Sequence, residues 1–278
     1  MSKFFLKKSL AMIWGKLFKR NPPEDALNVR VLCYHSVNSV YNSEADSITP
    51  GLFEEHIRHI VEKYHPVCVQ DIINCIKQDM PLPKNAVLVT FDDGYEDNFI
   101  YAYPILKHYN CPAIIFLATH FIDGKLKFTN DQRHGAMTWN QIKKLTKDNL
   151  IDIGAHTRTH RILSRININE VKDEIFGSIE DIESNIQRKM KAFAFPNGRL
   201  EDVPVNALNY ISDSDIELAF STTWRSWSFK RDRYLLNRIM ITGSDTLEVL
   251  DIKLKGHFDY IYLIHVLKGI FAKIFSKK

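Results

Sequence analysis

The stretch that most constrains this chain is Ala86-Val87-Leu88-Val89-Thr90-Phe91, followed at once by Asp92-Asp93-Gly94. A short apolar run, half of it β-branched, that stops at a polar turn predicts a buried β-strand. Two adjacent carboxylates and a glycine then stand where the strand ends, the place at which α/β proteins gather catalytic groups. Neighbouring side chains of a strand diverge. Asp92 and Asp93 are therefore expected to point different ways, one towards a metal and the other towards substrate. Asp-Asp-Gly also serves as a plain chain reversal, and this stretch alone leaves both readings open.

A second stretch favours the metal. Ile151-Asp152-Ile153-Gly154-Ala155 is another short apolar strand, and it runs into His156-Thr157-Arg158-Thr159-His160. Histidines four apart are expected on one side of a helical turn. Two imidazoles and one carboxylate, with positions left for water, make a hydrolytic divalent-metal set. Asp93, His156 and His160 are the expected ligands.

Thr90-Phe91-Asp92-Asp93-Gly94 followed by His156-Thr157-Arg158-Thr159-His160 resembles the NodB-type polysaccharide deacetylases, carbohydrate esterase family 4. The linking segments Tyr103-Pro104-Ile105-Leu106, Cys111 to Leu117 and Met137-Thr138-Trp139 are similar too, as is a third motif, Phe193-Ala194-Phe195-Pro196-Asn197-Gly198. The resemblance runs from Val29 to Ile241. It implies an α/β fold, a distorted and incomplete (β/α) barrel. It also implies an enzyme that hydrolyses N-acetyl groups on a glycan, polymeric or lipid-linked, in bacterial surface-glycan metabolism.

The resemblance also assigns roles. Asp92 is the implied general base. In most of the family the acid histidine follows the third motif in a Leu-x-x-His setting, which this chain lacks. The Tyr34-His35 pair at the end of the first strand is instead similar to the circularly permuted poly-N-acetylglucosamine deacetylase branch, which makes His35 the implied acid. The oxyanion is expected at the backbone N–H of Asn197. Two features depart from the pattern: Asn197 stands where many members carry an aromatic residue, and the third motif lacks its base-tethering arginine. Arg199 and Arg238 are the candidate tethers, with Arg238 preferred. Trp224 and Trp227 are candidates for an apolar wall around the acetyl methyl. The chemistry asks for a divalent ion, zinc by its ligand set, with cobalt, nickel, manganese or iron admitted.

The rest of the chain fits a single α/β unit. Helices are expected at 50–61, 98–109, 139–145 and 168–186, alternating with short strands at 29–35, 113–118 and 151–154, an order that argues a parallel barrel. Thr49 is the expected cap of the first helix. The 278 residues carry a net charge of +4, too weak a balance to argue nucleic acid. Cys33, Cys68, Cys75 and Cys111 form no CxxC pair and read as reduced thiols, mostly in the core.

Three segments are expected: a basic amphipathic stretch over 1–26, the deacetylase-like domain over 27–245, and an amphipathic helical stretch over 246–278. Lys3, Lys7, Lys8, Lys16, Lys19 and Arg20 alternate with aromatics, and Lys268, Lys273, Lys277 and Lys278 repeat the pattern at the far end. Neither end offers a spanning run or a clean signal peptide. Such stretches suit either packing on the domain or peripheral contact with a membrane. The expected location is the cytoplasm, peripheral on the inner membrane, with an atypical signal anchor as the competing idea. A glycan-binding protein without turnover and a carbohydrate O-esterase are the alternative functions.

Overall fold

The central strand is where the sequence puts it. In the computed structural model, which describes residues 10–12, 14, 23, 26–39, 47–128, 135–225 and 228–261, Ala86–Phe91 is buried along its whole length. Its side chains alternate between two apolar clusters. Val87, Val89 and Phe91 meet Phe53, Ile57 and Leu106 of the surrounding helices. Ala86 and Leu88 meet Val31, Ile114, Phe116, Ala192 and Phe220 from neighbouring strands. A strand covered on both faces reads as a continuous apolar run for this reason.

Eight strands form the main sheet: β1 (Val29–Tyr34), β2 (His65–Pro66), β3 (Ala86–Phe91), β4 (Ala113–Leu117), β5 (Ile151–Ala155), β6 (Ala192–Ala194), β7 (Leu218–Phe220) and β8 (Ile239–Met240). The order is β7-β6-β5-β4-β3-β1-β8, with β2 sharing one edge of β3 beside β4. Every pairing is parallel, and β1 lies against β3 from Val29↔Ala86 to Tyr34↔Phe91. The sheet curls into an open half-barrel. Residues 236–240 are strung across its gap: Leu236 bonds to Ala219 and Ser221 beside β7, and Ile239 and Met240 pair with β1. Because all strands run the same way, their C-terminal ends meet on one face, and the ends of β1, β3 and β5 bring His35, Asp92, Asp93 and His156 there.

The helices fall where their signals put them, although the expected 98–109 helix is a π-turn over Asn98–Ala102 before the α-helix Tyr103–His108. Thr49 caps Pro50–Lys63 by accepting from the Leu52 N–H, and Thr138 closes a capping box on Trp139–Leu145. The expected 168–186 helix is interrupted. Ile168–Lys172 and Ser178–Ile186 are α-helical, and Asp173–Gly177 between them is a π-turn. At its end a Cβ on Gly177 would lie 2.3 Å from the Arg158 guanidinium carbon. Helix and ligand loop touch there.

All four cysteines are free, and Cys33, Cys75 and Cys111 are buried as expected. Most of the two terminal stretches lies outside the described residues. Within them, Ala11 is buried against Val249, Ile252 and Phe258, and the Trp14 ring lies 6.2 Å from Tyr260.

Candidate active site

The site is built from two strand ends, each followed by a turn that most residues avoid. β3 stops at Phe91, and the Asp92 N–H donates to the Tyr34 carbonyl at 3.0 Å. Asp92 keeps the parity of Leu88 and Thr90 and so faces the interior of the half-barrel. Asp93 has φ 75° and Gly94 φ 85°, which turn the chain back. Glycine suits 94, because φ 85° strains any L side chain and a Cβ would stand 2.7 Å from Leu117 Cδ2.

This turn corrects the expected divergence of the two carboxylates. His156 Nε2 lies 3.8 Å from Asp92 Oδ2 and 3.8 Å from Asp93 Oδ1. The alternation rule ends with the strand, and a left-handed residue at 93 swings its side chain back beside that of Asp92.

The two histidines need a similar correction. They do not share a helical turn. His156 follows β5 directly, and Thr157 (φ 65°) and His160 (φ 55°) are both left-handed. The loop between them brings the ring centroids to 4.9 Å. Left-handed backbone at non-glycine residues, one of them β-branched, costs on the order of 1–3 kcal/mol each and persists only where the surroundings impose it. Glu174 does so here. Buried on the π-turn, it accepts the N–H of Arg158 at 2.9 Å, the N–H of Thr159 at 2.8 Å, and the Thr159 hydroxyl. Arg158 also forks onto Asp181, with both contacts at 2.9 Å.

The donor set suits a divalent cation. The ligand atoms of Asp93, His156 and His160 all lie within 4.8 Å of one another. His156 Nδ1 is 2.7 Å from the Ala194 carbonyl, so it carries the proton and leaves the Nε2 lone pair facing the carboxylates. Burial, opposed by the charge of Asp92, lowers the His156 pKa to about 4, which keeps the ring neutral. Asp93 Oδ1 is buried and has no hydrogen-bond partner among the described residues, while His160 Nε2 stands 3.3 Å away. Lone pairs that converge on one buried point are satisfied by a cation and by little else. The residues present fit the ion.

Asp92 belongs to a different group. Burial alone would push its carboxyl up, but Arg238 and His156 outweigh burial and hold it well below the usual carboxylate range. Arg238, fully enclosed, also bonds the Ser221 carbonyl and the Thr90 hydroxyl, both at 3.3 Å. The Cys33 thiol donates to Asp92 Oδ2 at 3.4 Å, and burial raises its pKa, with Arg238 opposing and Asp92 reinforcing. His35 completes this side: its ring nitrogen, Cys33 Sγ and an Asp92 oxygen lie within 4.8 Å of one another. Arg238, the preferred tether, thus meets Asp92, whereas Arg199 is exposed.

The remaining candidates make contacts of their own. Asn197 is exposed and left-handed (φ 60°) beyond β6, and its side chain donates to Asp202 at 3.1 Å. Trp224 is half-buried and packs edge-on against Phe258 at 6.1 Å, within an apolar cluster that includes Val249 and Ile252. Trp227 lies outside the described residues.

Cys33, Thr90 and Glu174 escaped sequence reasoning. Only Glu174 left a signal. It falls three residues after Val171 and one before Ile175, a carboxylate on the apolar face of its helix.

Residues 79–213 match the family model described as polysaccharide deacetylase. The matched span, just under half of the chain, carries a polysaccharide deacetylase domain. A poly-beta-1,6-N-acetyl-D-glucosamine N-deacetylase of Staphylococcus epidermidis is 23% identical over 258 residues, covering 89% of this chain and 83% of that protein. Among solved structures, the Streptococcus pyogenes deacetylase PplD, in complex with acetate, superposes with a TM-score of 0.69 at 22% identity, covering 81% of this chain and 97% of that one. A de-N-acetylase from Aggregatibacter actinomycetemcomitans gives 0.71 at 22% identity over 80% of this chain and 98% of its own. His35 and Arg238 both fall outside the matched span. The fold nevertheless returns them to it, because β1 lies beside β3 and β8 pairs with the far edge of β1.

Proposed function

We propose that this protein is a metal-dependent hydrolase that removes N-acetyl groups from an N-acetylated glycan, polymeric or lipid-linked, in bacterial surface-glycan metabolism. The observation that carries the reading is the convergence of Asp93 Oδ1, without a hydrogen-bond partner among the described residues, and two imidazole nitrogens. The relative named for de-N-acetylating poly-β-1,6-N-acetylglucosamine supports an amide on a glucosamine-type sugar as substrate. The PplD structure holds acetate, the product such a reaction releases.

Asp93, His156 and His160 would hold the ion, for which zinc suits the ligand set best and cobalt, nickel, manganese or iron remain compatible. Bound there, a divalent ion makes water more acidic and polarises a carbonyl. Asp92, kept ionised by Arg238, takes the proton of the attacking water. His35, on the other side of Asp92, gives a proton to the departing sugar amine. A C–O bond forms, the amide C–N bond breaks, and the products are acetate and a free amine. The Asn197 N–H is our candidate for steadying the developing oxyanion. Each proton transfer contributes about 10²–10⁴-fold.

The test is acetate release from polymeric and lipid-linked N-acetylhexosamine, with metal analysis of the same sample. Release that depends on about one bound divalent ion per chain is expected. Turnover of O-acetyl but not N-acetyl groups would make the protein an O-esterase. Saturable glycan binding without any release would make it a binding protein.

For location we propose the inner face of a bacterial membrane, with the protein held peripherally by its basic, aromatic ends.

A further inference from the structure

The loop that carries His35 is held from a distance by the segment that carries Asp92 and Asp93. Asp97, fully buried, accepts from the Val37 N–H at 3.2 Å, from the Ser36 hydroxyl, from Asn38 Nδ2 at 3.3 Å and from Asn98 Nδ2 at 3.0 Å. Asn98 Nδ2 also donates to the His35 carbonyl at 2.8 Å. A carboxylate buried this deeply is tolerated only when its lone pairs are filled. Among the described residues, three of its four donors come from residues 36–38, some sixty positions away in the chain.

The arrangement bears on the acid. His35 Nδ1 is buried and has no hydrogen-bond partner among the described residues, so the ring is steered largely by the backbone that bears it. That backbone is fastened to Asp97 and Asn98, a few residues beyond Asp92 on the turn leaving β3. One short segment therefore supplies the base, supplies a metal ligand and fixes the loop of the acid.

We propose that Asp97, acting with Asn98, is a positioning residue that sets His35 at proton-transfer distance from the leaving amine on the far side of Asp92. This rests on the deacetylase reading above. Transfer between positioned groups is sensitive to displacements of about 1 Å, which can cost on the order of 10²-fold. A loosened His35 loop should therefore penalise only the step that needs the acid.

Two substrates separate that step from the rest. A sugar amine must be protonated as it leaves, whereas 4-nitrophenolate leaves unaided. The metal-loaded full-length protein and its Asp97→Asn variant are assayed on an N-acetylglucosamine oligomer and on 4-nitrophenyl acetate. Asp97→Asn should lose about 10²-fold in kcat on the amide while keeping its bound ion and its ester rate within about two-fold. His35→Ala should show the same pattern, and combining the two should add nothing further. Equal losses on both substrates, loss of the ion, or additive losses in the double variant would overturn the proposal. If Asp97→Asn does not fold, Ser36→Ala carries the same comparison, with a smaller loss confined to the amide expected and an equal loss on both substrates overturning it. A wild-type protein that hydrolyses the ester but no N-acetylated glycan would instead overturn the deacetylase reading, and the role of Asp97 with it.

Discussion

Arg238 lies fork to fork with Asp92, Nη1 2.6 Å from Oδ1 and Nη2 2.7 Å from Oδ2, in a pocket closed to solvent. The pair joins the gap-spanning segment to the end of the central strand. A bidentate guanidinium fixes both the charge and the plane of a carboxylate, which a lysine ammonium cannot do. Arg238→Lys should keep the fold and the bound ion but lower kcat by about ten-fold or more, as Asp92 loses its orientation. Arg238→Ala leaves a buried carboxylate unpaired and should cost about 3–5 kcal/mol. Denaturant titration beside an acetate-release assay reads both, and a fully active, fully stable Arg238→Ala would remove the pair from the mechanism.

Asp93 and the two histidines should behave as a unit. We expect about one divalent ion per wild-type chain and almost none in His156→Ala or Asp93→Asn, with turnover lost in both. The fold should survive, since these side chains stand at strand ends rather than in the apolar clusters. Elemental analysis after gel filtration reads the ion. Wild-type turnover from a His156→Ala/Asp93→Asn double variant would show that the ligands are elsewhere.

Asp92→Asn separates proton transfer from coordination. The variant should retain its ion, because Asp92 lies outside the proposed ligand set, and should lose about 10²–10⁴-fold in kcat. The structure adds a second expectation. Arg238, buried and bonded to both Asp92 oxygens, would face a neutral amide, so the unfolding midpoint should fall as well. Loss of the ion in parallel with activity would mean that Asp92 is itself a ligand.

Much of the site was legible because its residues sit in contiguous runs. The apolar run before Asp92 and the one before His156 are strands whose ends share one edge, and parallel pairing makes that edge a common face. Sequence rules failed at the turns. Strand parity predicted divergence for Asp92 and Asp93, and helical spacing predicted a helical turn for His156 and His160, but left-handed residues at 93, 157 and 160 override both periods. Such backbone is imposed by tertiary partners such as Glu174, which lies more than ten residues beyond the loop it shapes. Arg238 could be named as a tether only by resemblance, because 146 positions separate it from Asp92 and no local period connects them.

Acid should destabilise the metal-free protein through His56. This imidazole is fully buried, with Nδ1 3.1 Å from the Tyr34 hydroxyl and Nε2 2.8 Å from the Asp245 carbonyl. Burial lowers its pKa from 6.5 to about 4, with Asp245 opposing. The unfolded chain takes up its proton as pH falls through 6.5, and the folded chain only near 4. The stabilisation is therefore complete above 6.5 and is lost as pH falls towards 4, by about 3 kcal/mol in total. His156, lowered in the same direction, adds to the slope. Unfolding midpoints for metal-free wild type and His56→Gln should converge as pH drops through this window. Parallel curves would mean that His56 is already charged in the folded protein.

The ends of the chain should bind anionic lipid. Lys3, Lys7, Lys8, Lys16, Lys19 and Arg20 at one end and Lys268, Lys273, Lys277 and Lys278 at the other can each contribute about 1 kcal/mol near an anionic surface. Ala11 packs with Val249 and Phe258 while Leu10 and Met12 stay exposed, which supports the two ends acting as one patch rather than two. A lipid-linked glycan would then meet an enzyme already held at the surface that carries it. Full-length protein should sediment with vesicles containing anionic phospholipid, not with neutral ones, and should be released by high salt. In intact cells it should pellet with membranes, wash off in salt or alkali, and stay protected from external protease. Recovery outside the cytoplasm with residues 1–20 removed would sink the proposal, because the basic stretch would then be a cleaved leader rather than a lipid contact.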